Sequence, residues 1–171
     1  MPRKPIDEVH VRVGVTEDLE PVMKMAEMVC KENGIFQPNM GKIFADIWPS
    51  LHREHGLVGV IGEQGQELEG FVLLRVGTMW YSDEPILEEK TVFVHPKFRK
   101  LSGGRARKLC RFSKQVSDEL GIPMIIGVLS NSRTGGKMRL YESEFGSPAG
   151  GFFLYKTRTG SWSNQVPIAA E

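Results

Sequence analysis

Val92-Phe93-Val94-His95-Pro96-Lys97-Phe98-Arg99-Lys100-Leu101-Ser102-Gly103-Gly104-Arg105-Ala106 is the stretch on which the fold turns. Residues 91–94 form a compact apolar strand stopped by Pro96, and a glycine-containing loop follows. From 105 to 120, Ala106, Leu109, Cys110, Ser113, Val116 and Leu120 recur at helical steps, and Gly121 followed by Pro123 supplies the stop. Residues 124–129 are apolar on consecutive positions, which predicts a strand covered on both faces. Strand, helix, strand in that order is a crossover unit with parallel strands and a right-handed connection. A loop of this kind turns several backbone N–H groups toward one point, and the helix start adds partial positive charge, so the junction suits a pyrophosphate. Gly-Gly before a helix is also an ordinary turn, so the loop alone does not decide the ligand.

Working outward, residues 11–15 alternate like a first strand. Thr16, followed by Glu17 and Asp18, reads as the cap of a helix whose apolar face is Leu19, Val22, Met23, Ala26, Val29 and Cys30 and whose stop is Gly34. A second amphipathic stretch runs from about 40 to 55 and is kinked near Pro49. Residues 57–61 and 70–76 read as an antiparallel hairpin, and 79–85 as a turn. A last helix lies between 132 and 145 and ends at Gly146, before a final strand over 151–156. The tail 158–171 is polar, with Trp162 as its one large anchor. With no internal repeat and no linker, 171 residues predict a single domain spanning 1–171 with its core at about 10–157.

Composition narrows the function classes. Apolar residues at 40% and charged residues at 25% are ordinary for a soluble domain, which disfavours a disordered or membrane chain. Arg3 and Lys4 have no apolar segment behind them and no stretch approaches bilayer length, so a cytoplasmic protein without a membrane partner is expected. Cys30 and Cys110 lack any CxxC context and read as reduced core thiols. His52 and His55 miss the spacing of a zinc helix and have no third ligand, so no metal is expected. No nucleophile elbow, Walker loop or dinucleotide fingerprint is present, which removes hydrolase, NTPase and Rossmann readings.

The chain resembles the GNAT superfamily of acetyltransferases, in which a strand ending in Val-x-Pro is followed by Arg/Gln-x-x-Gly-x-Gly/Ala at a helix start. Arg99-Lys100-Leu101-Ser102-Gly103-Gly104 fits in length, with Ser102 at the first glycine position. The likeness runs over roughly residues 10–157 and includes the Thr16-Glu17-Asp18-Leu19 start and a late Asn131, Tyr141 and Phe145-Gly146. It implies an α/β domain: a mixed, mostly antiparallel sheet with a parallel pair splayed for CoA, and helices on both faces. It also implies acetyl-CoA as cosubstrate and direct transfer to a primary amine. By the same resemblance, the backbone of Val92, Phe93 and Val94 would pair with the pantetheine arm. The amides of Arg99, Lys100, Leu101, Ser102, Gly103, Gly104 and Arg105 would hold the phosphates, with Asn131 at the end of its strand. Tyr141 would protonate the departing thiolate, a role that suits a phenol with a pKa near 10.

Lys97, Arg99, Lys100, Arg105, Arg107, Lys108 and Arg111 make a cation density suited to CoA phosphates; for Arg107 and Arg111 a solvated helix face is the plainer reading. The resemblance also implies a base at Glu89, just before the fourth strand, where several members keep a carboxylate that takes the amine's proton directly or through water, with His95 as its rival. The resemblance puts the acceptor near the third-to-fourth-strand connection, where Trp80, Tyr81, Asp83 and Glu84, with Glu88 and Glu89, would attract a cationic amine. The same acids could merely keep a turn soluble. Two rivals stand beside this reading. One is an acyl-CoA-binding module without turnover; the other is nucleic-acid binding through the basic patch from Lys97 to Arg111, which the near-neutral net charge of +1 and the lack of interleaved aromatics oppose. The oligomeric state stays open, a homodimer being one option.

Overall fold

Alternation at 11–13 becomes β1 (Val11–Val13), paired antiparallel with β2 (Gly56–Ile61) so that Arg12 lies opposite Val60. The structure, a computed structural model, describes residues 9–99, 104–130 and 133–154. After a 3-10 turn over Thr16–Asp18 comes α1 (Leu19–Asn33). The carboxylate that organises this turn belongs to Asp18 rather than to the Thr16 cap expected. Asp18 is 1% exposed, accepts from the Val15 N–H at 2.9 Å, and takes both guanidinium arms of Arg12 at 2.7 and 2.8 Å. A bidentate, charge-assisted pair of this kind fixes the end of β1 against the start of α1. Gly34, at φ 59°, ends the helix as its sequence position predicts.

Asn39 caps α2 (Met40–Leu51) by accepting from the Lys42 N–H at 3.1 Å. The helix ends four residues short of the expected 55. Pro49 sits in its last turn, and Arg53 and His55 both take positive φ, 60° and 54°, to bring the chain round into β2.

β3 (Gly70–Thr78) and β4 (Pro85–Val94) complete an antiparallel meander, and β5 (Met124–Ile126) joins β4 in parallel, giving the order β1-β2-β3-β4-β5. β4 starts six residues earlier than the apolar run suggests, because Glu88, Glu89 and Lys90 interrupt the hydrophobic pattern without interrupting the ladder to β3. Leu73 pairs with Thr91 and Leu74 with Glu89, so Lys90 is the extra residue of a β-bulge. Leu87, Val92 and Val94 all belong to one core, whereas Phe93 belongs to the other. The bulge therefore changes the parity of the strand and puts Glu89 on the same face as Val92 and Val94.

α1 and α2 cover one face of the sheet over Val22, Ile47, Val58, Phe71 and Phe93. The other face packs Val72, Leu74 and Leu87 against Leu109 and Val116 of α3 (Gly104–Leu120), beside α4 (Thr134–Phe145). Gly59 allows the close approach of α3, since a Cβ there would lie 2.5 Å from the Phe112 ring. Two expectations need correction. β5 is short and alternates, with Ile125 38% exposed, because no strand among the described residues lies beyond it. Residues 151–154 are not a strand, and Phe152 and Phe153 are exposed; the rest of that expected strand and the tail 158–171 lie outside the described residues. Among the described residues, no helix is long and apolar enough to cross a membrane.

Candidate functional site

The parallel pairing of β4 with β5 stops at Glu89 and Ile126, while β4 continues to Val94. β5 ends there, which leaves an opening beside β4: residues 90–94 have no partner on the β5 side among the described residues. Glu89 stands at the vertex of the opening. It is 6% exposed and lies inside β4, not before it on an exposed turn as its sequence setting suggested. Tyr141 of α4 donates a short hydrogen bond to Glu89 Oε1, whereas Oε2 is buried without a hydrogen-bond partner. The Ser113 hydroxyl, on the facing side of α3, donates instead to the Leu109 carbonyl at 3.1 Å.

Burial raises the Glu89 carboxyl to about 7; the Tyr141 hydroxyl and the charge of Lys137 work in the opposite direction. The Tyr141 phenol is pushed above its ordinary value by burial, by the nearby Glu89 charge and by the hydrogen bond in which it is the donor. Cys110 is fully buried beside the pair, and burial pushes its thiol up, which leaves it without thiolate character. Lys137, one helical turn before Tyr141 on α4, is half-buried, and its ammonium is lowered by burial. Lys137 and Cys110 carried no site signal in the sequence, since a lone lysine on a weakly amphipathic helix reads as surface.

The structure brings Glu89 and Tyr141, 52 residues apart, into direct contact. The basic stretch behaves differently from the expectation of a free phosphate clamp. Lys97 pairs with Glu67, and Arg107 and Arg111, exposed as the plainer reading expects, both pair with Glu144 of α4, at 2.7 and 2.9 Å. Lys108 donates to the Val9 carbonyl. Arg99 donates to the Val94 carbonyl at 2.7 Å and to Glu32 of α1 at 2.8 Å, and it lies over the Phe93 ring. Glu32 also takes Arg133 at 3.0 Å, so one carboxylate joins the end of α1 to both sides of the opening. Arg105 is buried against Glu69 at 2.5 Å, and its Nη2 has no partner. Glu32, Glu67, Glu69 and Glu144 thus offset part of this positive charge, which weakens the electrostatic footprint that nucleic-acid binding requires.

Among the described residues, the N-terminus of α3 at Gly104 offers an anion further N–H donors. Lys100, Leu101, Ser102, Gly103 and Asn131 lie outside the described residues. His95 caps the turn over Pro96–Phe98, accepting from the Lys97 N–H at 3.3 Å, and stacks edge-on against Phe98.

Trp80, Tyr81, Asp83 and Glu84 lie in the β3–β4 connection. Trp80 is 92% and Tyr81 68% exposed, with their rings edge to face at 5.4 Å. Four strand residues, about 13 Å, separate Glu89 from the start of β4, so this tip and the vertex are two places rather than one cluster. Glu88, next to Glu89 in sequence, forms an ion pair with Lys90. His52 contacts the Trp48 carbonyl at 2.8 Å, and no three His, Cys, Asp or Glu side chains among the described residues are grouped to hold a metal.

No protein-family model and no curated protein matches the sequence. Solved structures do match. The aminoglycoside N-acetyltransferase AAC(6')-Iy, in complex with a CoA bisubstrate analogue, is 17% identical with a TM-score of 0.65, over 89% of this chain and 99% of that one. A possible acetyltransferase from Clostridium difficile 630 is 17% identical with a TM-score of 0.65, over 90% and 99%. The aminoglycoside acetyltransferase meta-AAC0020 from an uncultured soil metagenomic sample, in complex with sisomicin, is 16% identical with a TM-score of 0.64, over 91% and 100%. The chain thus shares the fold of these acetyltransferases, a mixed five-stranded sheet with a parallel β4/β5 pair.

Proposed function

We propose that this protein is an acetyl-CoA-dependent N-acetyltransferase acting on a primary amine, with Glu89 and Tyr141 as its proton-handling pair. The observation that carries the reading is the direct Tyr141–Glu89 hydrogen bond at the vertex of the β4/β5 opening. The residues present fit an acyl-CoA. The β4 edge over 90–94 has backbone groups with no β5 partner, and α3 starts at Gly104 just beyond it. Acetyl-CoA would supply the activated acyl group as a thioester.

The chain's own residues manage the protons. An amine reaches the site as an ammonium and must lose a proton before it is a nucleophile. Glu89 Oε2, buried and unpartnered, is the acceptor for that proton, and a carboxyl near 7 is matched to the task at neutral pH. Tyr141 stays protonated because its phenol is held above its ordinary value, so it has a proton to give to the sulfur as negative charge develops there. Since Tyr141 already donates to Glu89 Oε1, the two act as a relay: Glu89 gains the amine's proton while Tyr141 releases its own, and Glu89 restores it across their shared hydrogen bond.

The aminoglycoside acceptors named for two structural neighbours support a cationic amine as acceptor here. Incubation with acetyl-CoA and an amine panel, following free CoA above background hydrolysis, tests the reading. Release should depend on an amine and should fall in Glu89→Gln and Tyr141→Phe. Tight acetyl-CoA binding with no release for any amine would point to a binding module without turnover.

A further inference from the structure

The pair that would deprotonate and acetylate an amine has an amine of its own protein beside it. Lys137 precedes Tyr141 by four residues on α4, so the two side chains leave the same face of the helix with about 6 Å between their positions along the axis. Both bear on the same carboxylate: Tyr141 donates its hydroxyl to Glu89, and the Lys137 ammonium lies within electrostatic range of it without an ion pair. Lys137 is half-buried, and its ammonium makes no hydrogen bond or ion pair among the described residues. That separates it from Lys97, Arg99, Arg107, Arg111 and Arg133, each held by a carboxylate.

We infer that Lys137 is a self-acetylation site, modified in cis by acetyl-CoA bound at the β4/β5 opening. This rests on the function proposed above. In the step, Glu89 takes a proton from the Lys137 ammonium and the neutral Nζ attacks the thioester carbonyl. A C–N bond forms, the C–S bond breaks, and the leaving sulfur takes its proton from Tyr141, which Glu89 then reprotonates. Lysine and acetyl-CoA become acetyl-lysine and CoA, with no other reactant. Four charged groups act on the ammonium: Glu32 and Glu89 favour its charged form, Arg99 and Arg133 oppose it, and burial outweighs the balance, so this ammonium gives up its proton more readily than an exposed lysine's. The product is a stable amide, so the event is terminal. It removes a positive charge from the field acting on Glu89.

The experiment is a time course of the full chain with acetyl-CoA and no acceptor, read by intact mass and peptide mapping, with acetyl-CoA binding measured in parallel by calorimetry. The exposed Lys114 on α3 reports spontaneous acetylation. Lys137 should gain one acetyl group at least 10-fold faster than Lys114, at a rate that saturates with acetyl-CoA and does not change with protein concentration. Tyr141→Phe and Glu89→Gln should slow Lys137 without slowing Lys114, and Lys137→Arg should remove the gain at that peptide. If acetyl-CoA binds and added amines are acetylated while Lys137 reacts no faster than Lys114, the inference fails and the proposed function stands. A rate proportional to protein concentration also overturns it, because one copy would then be modifying another. If acetyl-CoA does not bind, both fall together.

Discussion

Replacing Glu89 by glutamine should change how stability depends on pH, and the structure sets the size of the change. The Glu89 carboxyl is raised from an ordinary 4.5 to about 7 by burial, in a place where Oε1 has one donor and Oε2 none. Below about 4.5 the group is protonated whether the chain is folded or not. As pH rises from there, the unfolded chain gives up the proton while the folded chain keeps it, so folding becomes less favourable by about 1.4 kcal/mol per pH unit. The loss ends near pH 7, where folded Glu89 ionises too, and totals about 3 kcal/mol. The amide of the Glu89→Gln variant cannot ionise. Urea unfolding of both proteins at half-unit steps from pH 4.5 to 8.5 should therefore show the variant gaining on the wild type by about 3 kcal/mol up to pH 7, with a constant difference above it. Tyr141→Phe, which removes a donor that lowers the Glu89 carboxyl, should extend the same loss to higher pH. A variant-minus-wild-type difference that stays flat across the whole range would refute a buried, poorly solvated carboxylate at this position and with it the proton acceptor proposed.

Three further outcomes are expected. If Glu89 and Tyr141 form one relay, Glu89→Gln and Tyr141→Phe should each lower turnover by roughly 10²–10⁴-fold and the double variant by no more than the larger single loss, whereas independent roles would multiply. Wild-type kcat/KM should rise with pH through about 7 as Glu89 loses its proton, and this limb should be absent in Glu89→Gln. Gly59→Ala should destabilise the fold by roughly 1–3 kcal/mol in urea, because the new Cβ would lie 2.5 Å from the Phe112 ring and 2.9 Å from Val72, with no flexible chain end to move aside.

The order of elements was legible in the chain itself. Residues 91–94, the Gly-Gly junction and the stripe from Ala106 to Leu120 identify a parallel crossover because each period is strong and local, and Gly34, Gly121 and Pro123 mark the stops. Tyr141 and Glu89 were reached only through a family likeness, and nothing in their local sequence says that they touch. That contact depends on the Lys90 bulge, which changes the parity of β4 and turns Glu89 toward α4. A bulge leaves no mark in composition or period, so strand parity can be known only once β3 is paired.

Charge was the other quantity that sequence left undetermined. A run of cations from Lys97 to Arg111 looks like a patch in one dimension. Its acidic partners, Glu32, Glu67, Glu69 and Glu144, come from distant segments, and only the packed fold brings them close enough to offset part of it. The sequence alone determined which local elements this protein makes and where they stop, because those depend on neighbours a few residues away. Which carboxylate is buried, which cations are paired and which phenol meets which acid were decided by the tertiary structure, because desolvation and Coulomb energy depend on distance in space and not along the chain.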